Sequence, residues 1–307
     1  MSIQSKLLLM LLATSVLSAA VVGFIGYQSG RDSLQTAAID RLTSIRTAQS
    51  RQLRGQFEDM RDTLIVHTQG ETIADAIAAF TAGFAALAPE KIQPAQNRAI
   101  RDYYQGTIGK REETQTGSPV DVASLLPATP AQQYLQLHYT IPRADHASGL
   151  ATGDAGDGSV WSAANARYNN FFRTVVTRSN FEDALLLDTD GNVVYSAYKN
   201  VDLGTNIVTG PYRHSNLATE YRATLAARAV DYIGITDFED YEPVGEPTAW
   251  LLAPISQENS RIGVLALQFP IAKLNGLMTF SQKWVNAGLG ETGETILVGP
   301  ENLMRSD

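Results

Sequence analysis

A few short stretches carry residue types at spacings that could do chemistry. Gly288-Leu-Gly290-Glu-Thr-Gly293 spells G-x-G-x-x-G, the spacing of a loop that cradles a dinucleotide pyrophosphate. Asp188-x-Asp190-Gly191-Asn192 opens like a calcium loop, and "ATGDAGDGS" further upstream repeats aspartate and glycine. A dinucleotide loop needs a strand before its first glycine and a helix after its last, inside a βαβ unit. Here a predicted helix containing Trp284 and Val285 precedes Gly288, and the strand-like "ETILVG" follows, so the order is reversed. At Asp188 the glycine comes too early for a calcium loop and no loop-closing glutamate stands where it is needed. An Asp-Gly turn accounts for those residues. "ATGDAGDGS" also misses the calcium spacing and reads as a solvated loop.

Other chemistries are excluded by composition. The 307 residues hold no cysteine and only four histidines, His67, His138, His146 and His214, with no metal-ligand spacing among them. Neither a Ser/His/Asp group, paired catalytic carboxylates, a P-loop nor a Gly-x-Ser-x-Gly elbow emerges, so these residues read as a module that binds rather than catalyses. No cofactor or metal is expected. A net charge of −8 lacks the basic footprint of a nucleic-acid binder. With 44% hydrophobic and 18% charged residues, the chain can bury a core.

The elements that would position a site begin with "LLLMLLATSVLSAAVVGFIGY", residues 7–27, which carries no charge and is long enough to cross a bilayer. A cleaved signal peptide is the competing reading, since "SVLSAA" offers small residues. The apolar run continues through Val21, Val22, Phe24 and Ile25, longer than a signal core, which favours an uncleaved anchor. Arg31, Arg41 and Arg46 after it, against a lone Lys6 before it, leave the orientation open. Beyond the anchor, Leu34, Ala38, Leu42, Ile45, Leu53, Phe57, Met60 and Leu64 recur at helical spacing with no proline before residue 70, predicting a long amphipathic helix. A second helix with Ile73, Ile77, Phe80, Phe84 and Leu87 on one face is predicted to start at a Thr72-x-x-Asp75 capping box. "PAQQYLQLHYT" and "VWSAANARYNNFFRTVVTR" read as helices, the latter with Trp161, Tyr168, Phe172 and Val175 on one face.

From Ala184 the period shortens. "ALLLD" and "NVVYSAY" form a hairpin across Thr189-Asp190-Gly191, and "SNLATEYRATLAAR" is a helix capped by Ser215. "VDYIGITDF", "AWLLAPIS" and "RIGVLALQF" follow as strands, with loops at 239–248 and 257–260 between them. "PIAKLNGLMTF" then opens a helix at Pro270. The order is strand, strand, helix, three strands, helix: an α+β chain with a PAS-like antiparallel sheet behind a long helix.

The anchor, the long helix and the runs "DALLLDTDGNVVYSAYKNVDLGTNIVTGPYR", "EPTAWLLAPI" and "GETGETILVGPENLMRSD" resemble double-Cache extracytoplasmic sensor regions of bacterial receptors. They most resemble those of actinobacterial-type transmembrane adenylate/guanylate cyclases, with related runs in chemoreceptors and sensor kinases. The resemblance implies a cytoplasmic tip and anchor at 1–30, and a stalk helix with a helical distal segment at 31–180. It further implies a Cache lobe at 181–280 and the start of a second, incomplete lobe at 281–307. It also implies a cell-membrane receptor with residues 31–307 outside the cytoplasm, a parallel homodimer, and a small polar ligand between sheet and lid.

Amino-acid-binding relatives hold the ligand carboxylate with an arginine beside aromatic residues and its amine with two aspartates. Carried over, Pro211-Tyr212 falls at the lid aromatics, Thr209 or Gly210 at the arginine with Arg213 offset, Asp237 at the first aspartate and Gln268 at the second. The resemblance thus implies a ligand set of Tyr195, Tyr212, Arg213, Asp237, Tyr241 and Trp250. A buried Asp237 with Gln268 in place of the second acid implies a neutral or anionic ligand rather than an ordinary amino acid. The competing functions are a ligandless cell-surface adhesion or scaffold domain, and a secreted enzyme with a cleaved leader.

Overall fold

The computed structural model describes residues 2–117, 120–143, 145–229, 231–258, 260–291, 293–299 and 301–306. Its helices are α1 (Ile3–Thr68), α2 (Glu71–Ala86), α3 (Pro94–Tyr103), α4 (Lys110–Thr116), α5 (Val122–Leu125), α6 (Pro130–Leu135), α7 (His146–Ala151), α8 (Val160–Ser179), α9 (Asn216–Ala226), α10 (Ile271–Met278) and α11 (Trp284–Ala287). The strands are β1 (Ala184–Leu187), β2 (Val193–Ser196), β3 (Gly234–Ile235), β4 (Glu239–Tyr241), β5 (Glu246–Thr248), β6 (Trp250–Gln257) and β7 (Ser260–Gln268). Two compact units form, Met1–Gly55 with Gly276–Arg305, and Gln56–Asn275.

Within the second unit, β2-β1-β7-β6-β3 make one five-stranded antiparallel sheet. The fold class is α+β, as the sequence predicts. Strand β1 and the 262–267 part of β7 are apolar throughout because both faces of the sheet are covered there. On one face α2 and α8 pack Phe80 and Phe172 against Tyr195, with ring centroids 4.6 and 4.5 Å apart. The two helices cross closely: a Cβ on Gly83 would sit 2.8 Å from the Trp161 Cα. Trp161 Nε1 in turn donates to the Val194 carbonyl at 2.8 Å, tying α8 to edge strand β2. The opposite face carries Leu185, Leu187, Val193, Trp250, Leu252, Val264 and Ala266 under a lid. The lid is made of α9, the 201–212 segment, Tyr241 and a π-helical stretch, Tyr104–Gly109. Each fully buried Leu or aromatic contributes about 1.5–3 kcal/mol of burial.

The chain departs from expectation in several places. Helix α2 starts at Glu71 with extended Gly70 as its cap, so Thr72 and Asp75 lie inside the helix and form no capping box. Residues 239–248 are not a plain loop. They form the β4–β5 hairpin, turned at Gly245 with φ +77°, and bury Tyr241 and Thr248. The third predicted strand shrinks to Gly234–Ile235. Helix α9 is capped as predicted, Ser215 Oγ accepting from the Ala218 N–H at 3.2 Å.

In the first unit, α1 presents its apolar stretch from Leu7 to Ile25 fully exposed and is long and apolar enough to cross a membrane. The G-x-G-x-x-G stretch follows α11, with Gly288 at φ +88° and Gly290 at φ +78°. Downstream, Val298 and Met304 form one antiparallel bridge. No helix opens after Gly293 among the described residues, as the reversed order requires.

Candidate functional site

Three of the six expected site residues converge beneath the lid. Trp250 points from the first position of β6, Tyr241 ends β4, and Tyr212 sits just before α9. Their exposures are 0%, 1% and 4%. The Tyr241 ring stands 5.3 Å from Trp250, edge-on at 80°, and 5.9 Å from Tyr212.

The other three lie elsewhere. Tyr195 pairs with Leu186 and points to the α2/α8 face, where its hydroxyl donates to Asn169 Oδ1 at 2.9 Å and Lys199 Nζ lies 4.5 Å from its ring. Strand alternation therefore puts it on the wrong side of the sheet to share a site with Trp250. Arg213 is exposed, its guanidinium donating to the Gly210 carbonyl at 3.2 Å. Asp237 is exposed as well, which corrects the expectation of a buried carboxylate. Asn216 Nδ2 takes its backbone carbonyl at 2.8 Å, and its own carboxylate caps the Phe238 N–H at 2.8 Å, so the side chain faces outward. Gln268 stands opposite Trp250 in register and gives its amide to Glu182 at 3.3 Å.

The buried acid of this site is Asp202, which the sequence reading missed. Its segment is held from several sides. Gln136, in the π-helical stretch Gln136–Thr140, donates to the Val201 carbonyl at 2.8 Å and accepts from the Tyr104 hydroxyl at 2.8 Å. Thr205 N–H closes a turn onto the Asp202 carbonyl at 2.8 Å. Gly204 follows at φ +80°, so close to α6 that a Cβ would lie 3.0 Å from Gln132 Cα. This turn points the Asp202 side chain inward, where it is 1% exposed.

Tyr241 donates its hydroxyl to Asp202 Oδ2 at 3.0 Å. The other carboxylate oxygen, Oδ1, is buried with no hydrogen-bond partner, and so is the Trp250 indole Nε1. A buried polar atom without a partner costs about 1–3 kcal/mol, and here one such acceptor and one such donor belong to residues that both touch Tyr241. Burial pushes the Asp202 carboxyl up to about 7, and the nearby Asp183 adds to the rise. The Tyr241 hydroxyl, the Asp202 backbone's own hydrogen bond to the carboxylate and Arg143 oppose it. Arg143 is engaged elsewhere, with the Tyr198 carbonyl at 2.6 Å and Asn200 Oδ1 at 2.7 Å. Burial first, and then the neighbouring charges, raise Tyr104, Tyr212 and Tyr241 above the usual phenol range, Asp202 being among those charges for each. Tyr241 also borders an open cleft of about 490 Å³ lined by Glu112, Gln115, Asp240, Glu242, Gly245 and Pro247.

No protein-family model matches the chain, and no curated protein matches it. Among solved structures it is similar to the sensor domain of the V. cholerae histidine kinase DctB, at 17% identity over 59% of this chain and a TM-score of 0.31. The chain spans 60% of that domain's length. It is also similar to the ligand-binding domain of the Pseudomonas fluorescens chemoreceptor CtaA in complex with L-serine, at 14% identity, 67% of this chain, 71% of that one and TM-score 0.33. A third is the ligand-binding domain of the Campylobacter jejuni chemoreceptor Tlp3 in complex with 4-methylisoleucine, at 12% identity, 78% of this chain, 72% of that one and TM-score 0.32.

Proposed function

We propose that this chain is the ligand-sensing region of a transmembrane receptor, binding a small polar molecule between the sheet and the lid of the Gln56–Asn275 unit. The observation that carries the reading is the buried aromatic site in which Asp202 Oδ1 and Trp250 Nε1 are both left without partners. An adhesion or scaffold domain gains nothing from two open polar atoms in its core, whereas a receptor needs them filled only when ligand arrives. The long apolar start of α1 supports an anchored protein with residues 31–307 outside the cytoplasm. The sequence resemblance to double-Cache regions supports a cytoplasmic cyclase as the output; a chemoreceptor or kinase output is the second reading, favoured by the related runs in those sensors.

The test is a thermal-shift panel of small amines, carboxylates, amides and polyols on the full chain in nanodiscs. At least one compound should raise the melting temperature of the wild type, and Trp250→Phe should lose that response while remaining folded. A panel without any stabilising compound would leave the scaffold reading in its place.

A further inference from the structure

A separate cleft, about 560 Å³, opens in the Gln56–Asn275 unit at the end of the sheet where β6 turns into β7. Ser256, in its wall, stands six residues along β6 from Trp250, about 20 Å of extended strand, so the cleft lies apart from the aromatic cluster under the lid. Arg261 enters it from β7 and is half-buried. Its guanidinium donates to Ser256 Oγ at 2.8 Å and to the Ala227 and Ala229 carbonyls, just past α9, at 3.0 and 2.7 Å. These bonds use part of its donor set, all on neutral acceptors, and no carboxylate lies at salt-bridge distance among the described residues. The Ser256 hydroxyl, accepting from Arg261, keeps its own hydrogen to give. Arg228, beside Ala227 in the wall, is exposed and makes no hydrogen bond or ion pair among the described residues.

Glu258, in the turn, faces these two arginines as the one acid among the described wall residues, so the cleft stays positive in a chain of net charge −8. Guanidinium and hydroxyl donors come from β6, β7 and the segment after α9. Three sources suit the spread oxygens of a phosphate better than the two of a flat carboxylate. The volume exceeds what a bare ion fills, and Pro254 and Ala227 give an organic body an apolar wall. We propose that this cleft binds a small phosphate monoester, whose phosphate oxygens accept from Arg261, the Ser256 hydroxyl and Arg228 while its organic part lies against Pro254. The site stands independently of the one under the lid.

Calorimetry on the full chain in phosphatidylcholine nanodiscs tests it with glycerol 3-phosphate, uncharged glycerol, and glycerate, which carries a carboxylate in place of the phosphate. Glycerol 3-phosphate should bind and the other two should not. Its binding should weaken as pH falls from 8 to 5, because a phosphate monoester loses its second charge at about pH 6. Arg228→Gln changes an exposed side chain without a bonded partner, so it should leave melting unchanged and weaken binding about tenfold. Glu258→Gln, which removes the opposing charge, should strengthen it. Affinity unchanged in both variants would overturn the proposal, and so would glycerate binding as tightly as glycerol 3-phosphate, or no heat from glycerol 3-phosphate. Binding abolished when phosphatidic acid joins the nanodisc lipid would assign the cleft to a membrane headgroup and overturn the soluble guest.

Discussion

Asp202 is one of three acids that burial raises to about 6 or 7 and that set how the Gln56–Asn275 unit responds to pH. Its carboxyl stands near 3.8 in an unfolded chain and is pushed to about 7 by burial, so the folded state favours the protonated form. The stability it contributes is therefore complete below about 4 and is lost as pH rises through about 7. Glu182, also raised to about 7 by burial, and Asp183, raised to about 6, act with the same sign. Chemical denaturation of the full chain should show stability falling between pH 5 and 7. Above that, Lys199, held down to about 7 by burial, adds the opposite slope. Asp202→Asn should flatten part of the fall, on the order of 1–3 kcal/mol. An unchanged slope in the variant would mean that Asp202 is not the buried acid described. The sequence pointed to Tyr212, Tyr241 and Trp250 only through its resemblance to double-Cache regions, and the structure gathers the three in one buried cluster. It hid Asp202 because "VDLGT" reads as an ordinary turn. Only the positive φ at Gly204, with α6 pressed against it, shows that the turn aims its aspartate inward.

At the scale of elements, the crossing of α2 and α8 is set by a missing side chain. With the Trp161 backbone 2.8 Å from where a Cβ would sit, Gly83→Ala must push the helices apart. The displacement strains the Trp161 bond to Val194 and loosens the Phe80–Tyr195–Phe172 stack beneath. We expect a loss of about 1–3 kcal/mol, the usual range for overpacking a core, read from urea unfolding of the full chain. A neutral or stabilising effect, as alanine gives in an open helix, would show that the two helices are not in contact there. Strands β1, β2, β6 and β7 and helices α8 and α9 were legible in the sequence because burial on each face leaves a period. The β4–β5 hairpin was not: "EDYEPVGEPT" carries two prolines, a glycine and four acids, and the buried Tyr241, Pro243 and Thr248 are scattered among exposed charges. The π-helical stretches at Tyr104–Gly109 and Gln136–Thr140 were hidden too, since one widened turn hardly shifts the apolar spacing of a helix.

At the scale of the molecule, α1 runs unbroken for 66 residues because no proline interrupts it. Its stretch beyond the apolar start leaves Leu34, Ile39 and Leu42 exposed at 74%, 55% and 54%. A helix with an uncovered apolar stripe is expected to find a partner, and for the anchored receptor proposed above a second copy is the nearest one. Single cysteines placed from 31 to 48, in a chain that has none of its own, should crosslink in the membrane with helical periodicity peaking near Leu34, Ile39 and Leu42. Uniform crosslinking along the segment would contradict a parallel pair.

In the function proposed above, a ligand enters the lid side of the sheet and completes the bonding of Asp202 and Trp250. Hydrogen–deuterium exchange on the full chain in nanodiscs, with and without a stabilising compound from the panel, tests it most directly. Ligand should slow exchange in 201–205, which carries Asp202, and in 239–250, which carries Tyr241 and Trp250, while the α2 and α8 backbone stays as it was. Protection confined to the α2/α8 side, or no change in either segment, would contradict the account.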